Sequence, residues 1–128
     1  MTKADIPDEV RRFILTSVPS VPYLEAINLM RAAPRVAWDA QQLARRLYLP
    51  EARAAELLAA LAQAGIAEPG QAPGTFCFSP ATGELRAMLD ELARVYAANL
   101  VGVTDLIHSR VDKRAQQFAD AFRWRKDS

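Results

Sequence analysis

The sequence predicts a mainly α fold: two N-terminal helices, a helix-turn-helix with a short hairpin, then a long C-terminal helix and a tail helix. Three observations carry that expectation. Leucines recur at helical spacing on both sides of a turn at Tyr48-Leu49-Pro50. A Gly/Pro run from Pro69 to Gly74 separates two short strand-like stretches. From Ala81 to His108 a subset of apolar residues keeps alternating steps of four and three.

Each element has a local reason. Pro7 opens the first helix, where a missing N–H costs nothing, and Asp8 and Glu9 sit near its positive end. Val10, Phe13, Ile14 and Val18 fall on one face, and Pro19 stops the run. Ser20 caps a second helix through Leu24, Ile27 and Met30, which ends before Pro34. Arg35 to Trp38 reads as a short extended piece. Asp39 caps a third helix that buries Leu43 and Leu47. Pro50 opens the fourth, with Glu51 in its first turn and Leu57, Leu58 and Leu61 as its apolar stripe; Gly65 stops it. Ile66 begins a strand and Thr75 to Phe78 returns, with Phe76 and Phe78 alternating with Cys77. Ser79-Pro80 is the cap signal for a helix from about Ala81 to His108, roughly 40 Å long at the helical rise. A last helix, about Val111 to Trp124, places Ala115, Phe118, Ala119 and Phe122 together.

A chain of 128 residues fits one domain, 1–128, with its helix-turn-helix and hairpin at about 35–79 and the long helix and tail at about 80–126. A 51% hydrophobic, 24% charged composition is that of a globular protein. The net charge of +1 is too small for nucleic-acid binding by bulk charge. What positive excess there is sits at the end. Arg110, Lys113, Arg114, Arg123, Arg125 and Lys126 face only Asp112, Asp120 and Asp127, whereas the helix-turn-helix region is balanced. Cys77 is the only cysteine, so an intrachain disulfide and a cysteine metal cage are both excluded; a small buried apolar role in a strand is expected of it. No stretch is apolar enough to span a membrane, and the start lacks a signal-peptide core, so a cytoplasmic location is expected.

The run from Trp38 to Gly70 resembles the core of bacterial winged helix-turn-helix regulators of the MarR type and their relatives. The resemblance is carried by Leu43-Ala44 in a capped helix, the turn near Tyr48-Leu49-Pro50, Leu58 and Leu61, and Gly65-Ile66 leading into a wing. It covers about a third of the chain and implies a winged helix-turn-helix whose second helix enters the DNA major groove. Base readout needs Arg, Lys, Asn or Gln on that helix. Here the outward positions of 50–63 are mostly Ala, with Glu51, Arg53, Glu56 and Gln63, and the wing tip from Pro69 to Gly74 is uncharged. Arg45, Arg46 and Arg53 are the remaining phosphate anchors, few for binding driven by counterion release.

Two further surfaces compete. Leu85, Leu89, Leu92, Tyr96, Asn99, Val103 and Leu106 form about three heptads, the lower limit of a coiled-coil seam. They predict a homodimer in which Asn99 fixes the register. The basic tail, Arg110, Lys113, Arg114, Arg123, Arg125 and Lys126, interleaved with Phe118, Phe122 and Trp124, suits an acidic partner, nucleic acid or a membrane surface, but docking of the two phenylalanines on the core with the charges solvated is the preferred reading. His108, the only histidine, has Asp105 one turn earlier and lacks the companions a metal site needs. No nucleophile–base pair, phosphate-cradling Gly loop or paired-carboxylate site is legible, so the chain is not read as an enzyme, and neither cofactor nor metal is expected.

The leading functional reading is therefore a regulatory protein acting through protein–protein contacts on a winged-helix scaffold, with DNA-binding transcriptional regulation as the alternative. A sensor pocket lined by Trp38, Tyr96 and Phe76 ranks third.

Overall fold

In the computed structural model, which describes residues 5–109, the chain is mainly α with one small antiparallel sheet. The elements are α1 (Asp8–Ser17), α2 (Val21–Ala32), α3 (Ala40–Leu47), α4 (Glu51–Gln63), β1 (Ala67–Pro69), β2 (Phe76–Phe78), α5 (Gly83–Ala98) and a helical stretch over 100–109. The chain divides into two compact units. Pro22–Ala93 is one; Met1–Val21 with Arg94–Ser128 is the other.

In the second of these units, α1 starts after Pro7 with Asp8 and Glu9 in its first turn, and it buries Val10 and Ile14. Val18 ends it in an extended conformation and is itself fully buried. Val95, Tyr96, Val103 and Ile107 are the other buried apolar residues of this unit.

The Pro22–Ala93 unit holds the larger core. Helix α2 buries Tyr23, Leu24, Ala26, Ile27 and Met30, a broad apolar arc of the kind a core-facing helix presents. A capping box starts α3: Gln42 N–H donates to Asp39 Oδ1 at 2.8 Å and Asp39 N–H donates to Gln42 Oε1 at 3.1 Å. Leu43 is fully buried beside Ala44, whereas Leu47, expected inside, is only half-buried. The helix ends because Tyr48 turns left-handed, with φ 56° and ψ 47°. Leu49 N–H then bonds Ala44 O at 3.0 Å, and Pro50 leads into α4.

Helix α4 buries Ala54, Leu57, Leu58 and Leu61. It stops at Gly65, whose φ of 77° places Ile66 N–H 2.9 Å from Leu61 O, a glycine-dependent C-terminal closure. Strands β1 and β2 pair antiparallel with Ala67 opposite Phe78, Glu68 opposite Cys77 and Pro69 opposite Phe76. The tip is closed by Gly70 N–H to Thr75 O (2.8 Å) and by the Thr75 hydroxyl to Ala72 O (2.6 Å). Cys77 is half-buried rather than fully buried. Trp38 adds a single rung on the other edge of β2, exchanging backbone bonds of 2.8 and 2.9 Å with Phe76.

Two expectations fail after the hairpin. Ser79-Pro80 does not cap the next helix, because Ser79 and Ala81 spend their N–H groups on Ile66 O and Gly65 O, both at 2.8 Å. The cap is Thr82, whose hydroxyl accepts from Leu85 N–H at 3.0 Å, so α5 begins at Gly83. Nor is there one long helix to His108. The helix breaks at Asn99, whose Oδ1 accepts from Gly102 N–H at 2.9 Å and so caps a new helix over 100–109. The expected tail helix, Val111 to Trp124, lies outside the described residues.

A candidate interaction surface on α3 and the turn after it

Arg45 and Arg46 occupy the last turn of α3, where positive charge complements the negative end of the helix dipole. Both are exposed, and neither has a carboxylate partner among the described residues. They line a groove of about 350 Å³ together with Ala33, Val36, Trp38 and Gln42. The guanidinium carbon of Arg46 lies 5.8 Å from the centroid of the Trp38 ring, within cation–π range. Trp38 is 6% exposed, and its indole N–H has no acceptor among the described residues. Val36 is 40% exposed on the groove wall, and Tyr48 in the turn beyond is 93% exposed.

Arg53 stands apart. It is on α4, exposed, and paired with Glu56 at 3.4 Å one turn away. The rest of the outward α4 surface is Glu51, Ala52, Ala55, Ala59, Ala60 and Gln63. The structure thus joins two of the three expected phosphate anchors and leaves the third neutralised by a neighbour. The hairpin tip exposes Gln71, Ala72, Pro73 and Gly74, none of them charged.

The residues of the expected dimer seam differ in burial. Leu89, Leu92 and Val103 are fully buried and Tyr96 nearly so, while Leu85, Asn99 and Leu106 are half-buried. Asn99 also cannot act as a mid-helix register residue, because it is the cap at which the helix breaks. Of the residues expected to line a sensor pocket, Trp38 lines this groove, beside the two arginines, and Phe76 does not.

His108 and Asp105 are exposed on the 100–109 helix, and among the described residues no group of three His, Cys, Asp or Glu side chains can hold a metal. No helix among them is long and apolar enough to cross a membrane. The basic tail residues Arg110, Lys113, Arg114, Arg123, Arg125 and Lys126 lie outside the described residues.

Sequence reasoning found the arginines but missed the groove. Its apolar wall comes from the turn after α2, a segment tied to β2 by the bridge between Trp38 and Phe76. No protein-family model, no curated protein and no solved structure matches this chain.

Proposed function

We propose that this chain is a non-enzymatic regulatory protein acting through protein–protein contact on a winged-helix scaffold. The winged-helix reading is supported by the order α3, tight turn, α4, β1, uncharged tip, β2, with the Trp38 rung as a third short strand. The observation that carries the contact reading is the pairing of an almost fully exposed Tyr48 with two arginines, one turn back on α3, that have no carboxylate partner among the described residues. Tyr and Arg are the residue types that concentrate binding energy at protein interfaces. An exposed tyrosine held in a left-handed turn contributes nothing to the core.

One observation favours the alternative, DNA binding: Arg45 and Arg46 share a groove. Two phosphate contacts would give a salt dependence with a log–log slope of only about −2. The α4 surface supplies acidic and Ala positions where base-reading side chains are needed.

A photo-crosslinking amino acid replacing Tyr48 in the native host, beside a gel-shift titration at about 50 mM salt, tests both readings. The contact reading expects one discrete protein adduct and no duplex shift. A duplex shift that vanishes near 200 mM salt, without an adduct, transfers the function to DNA.

A further inference from the structure

We infer that the groove beside Trp38 receives an acidic segment of the partner protein, a Glu or Asp carboxylate next to an apolar side chain. This rests on the protein-contact reading for the kind of molecule and adds its chemistry. The side chains lining the groove are one-sided in their hydrogen bonding. Arg45 and Arg46 offer guanidinium donors with no carboxylate partner among the described residues. Gln42 Oε1 already accepts from Asp39 N–H, and its Nε2 adds two further donors. The Trp38 indole N–H is buried without an acceptor among the described residues, so the site lacks acceptors even for its own donors. An occupant must therefore bring acceptors and negative charge. A carboxylate matches the planar guanidinium fork, and charge-assisted pairs of that kind are the stronger hydrogen bonds.

The other wall sets the second requirement. Ala33, the exposed Val36 and the Trp38 indole are apolar. An apolar side chain beside the carboxylate covers them; a bare anion leaves them wet. Arg46 links the two halves, since its guanidinium stacks on the ring and can accept a carboxylate at its edge without leaving it. At about 350 Å³ the groove admits roughly one acidic and one apolar side chain, the small end of the range for binding pockets.

The test uses the full chain carrying Trp124→Phe, which leaves Trp38 as the sole indole. Its indole N–H signal is followed by NMR while acetyl-Glu-Leu-Glu-Leu-amide is added. The expected result is a saturable shift, absent with acetyl-Gln-Leu-Gln-Leu-amide. Arg45→Ala and Arg46→Ala each weaken binding about tenfold, the loss of one charge-assisted bond. Arg45→Lys and Arg46→Lys, which keep charge without the fork, weaken it less. Both arginines are exposed, so unchanged melting curves are expected and verify that the variants fold. No saturable shift, an equal response to the glutamine peptide, or full binding by the alanine variants overturns the proposal. Equal affinity for N-acetylleucine would make the ligand a free small carboxylate, and a shift with duplex DNA alone would make it a phosphate; either result also overturns it. A Tyr48 adduct in the host without peptide binding sinks the groove and leaves the contact reading standing. Peptide binding without an adduct supports the groove and counts against the Tyr48 surface.

Discussion

Asn99 caps the helix that contains Gly102: its Oδ1 accepts the Gly102 backbone N–H at 2.9 Å, and a Cβ on Gly102 would sit 2.7 Å from the Asn99 Cγ. One residue thus ends α5 and starts the next helix, and the third residue of that helix must be small to let it do so. Asn99→Ala is expected to cost about 1 kcal/mol, the usual value of an N-cap. Gly102→Ala gains up to about 1 kcal/mol of helix propensity but expels the cap, so alone it comes out near zero or destabilising. Made in the Asn99→Ala background, the same change has no cap left to lose and should stabilise. A double-mutant cycle by urea unfolding reads this coupling. Additive effects would mean that the cap is not made in solution.

That cap shows where sequence reading succeeds and where it stops. The helix-turn-helix was legible because each of its boundaries has a local cause: the Asp39 cap, Pro50 and Gly65. Asn99 was equally local, yet it fell on a spacing of four and three that ran straight through it. Periodicity reports which residues are apolar on one side, not whether the backbone between them is continuous. The Ser79-Pro80 signal misled for the opposite reason. It is a good cap in isolation, but Ile66 and Gly65 present carbonyls that claim the neighbouring N–H groups. The two arginines of the groove were visible by type. Their companions Ala33 and Val36 were not, because a bridge of one residue pair, Trp38 with Phe76, leaves almost no pattern in sequence.

Burial separates two groups of apolar residues in the C-terminal half. Leu92 is fully buried, whereas Leu100 and Val101 are 56% and 50% exposed. Leu92→Glu places a charge in the core and should cost more than about 4 kcal/mol, enough to unfold the chain. Leu100→Glu should stay within about 0.5 kcal/mol of the parent. Circular dichroism and light scattering decide the matter. A folded, monomeric Leu92→Glu protein derived from a dimeric parent would restore the seam as a subunit interface.

Tyr23 gives the chain a sensitivity to alkali. Burial pushes its hydroxyl above the ordinary value of 10.0. The folded state therefore holds this proton more tightly than the unfolded state does. Below pH 10 both states keep it and the stability is fully present. Above that, the unfolded chain ionises first, so stability falls as pH rises toward the folded-state value. Tyr23→Phe should flatten this part of the stability–pH curve. Chemical denaturation at several values between neutrality and strong alkali measures the slope, and an unchanged slope in the variant would assign the effect to other groups.

Tyr48 is the described non-glycine residue with positive φ, 56°, and it is 93% exposed. The left-handed region costs an ordinary L-residue roughly 1 kcal/mol or more, and burial of the ring returns none of it here. Asparagine tolerates the same backbone better. Tyr48→Asn is therefore expected to stabilise the fold by about 0.5–1 kcal/mol, raising the melting temperature by a few degrees. If the ring is kept for contact, the same substitution removes an anchor and weakens partner binding about tenfold or more. The two effects have opposite signs, which a purely structural role cannot produce. Thermal denaturation supplies the first measurement. Loss of the partner in affinity capture, with the acidic-peptide titration at the Trp38 groove as an internal control, supplies the second. A variant that is less stable and binds normally would place Tyr48 among the residues that hold the turn, and the interaction surface would have to be sought elsewhere.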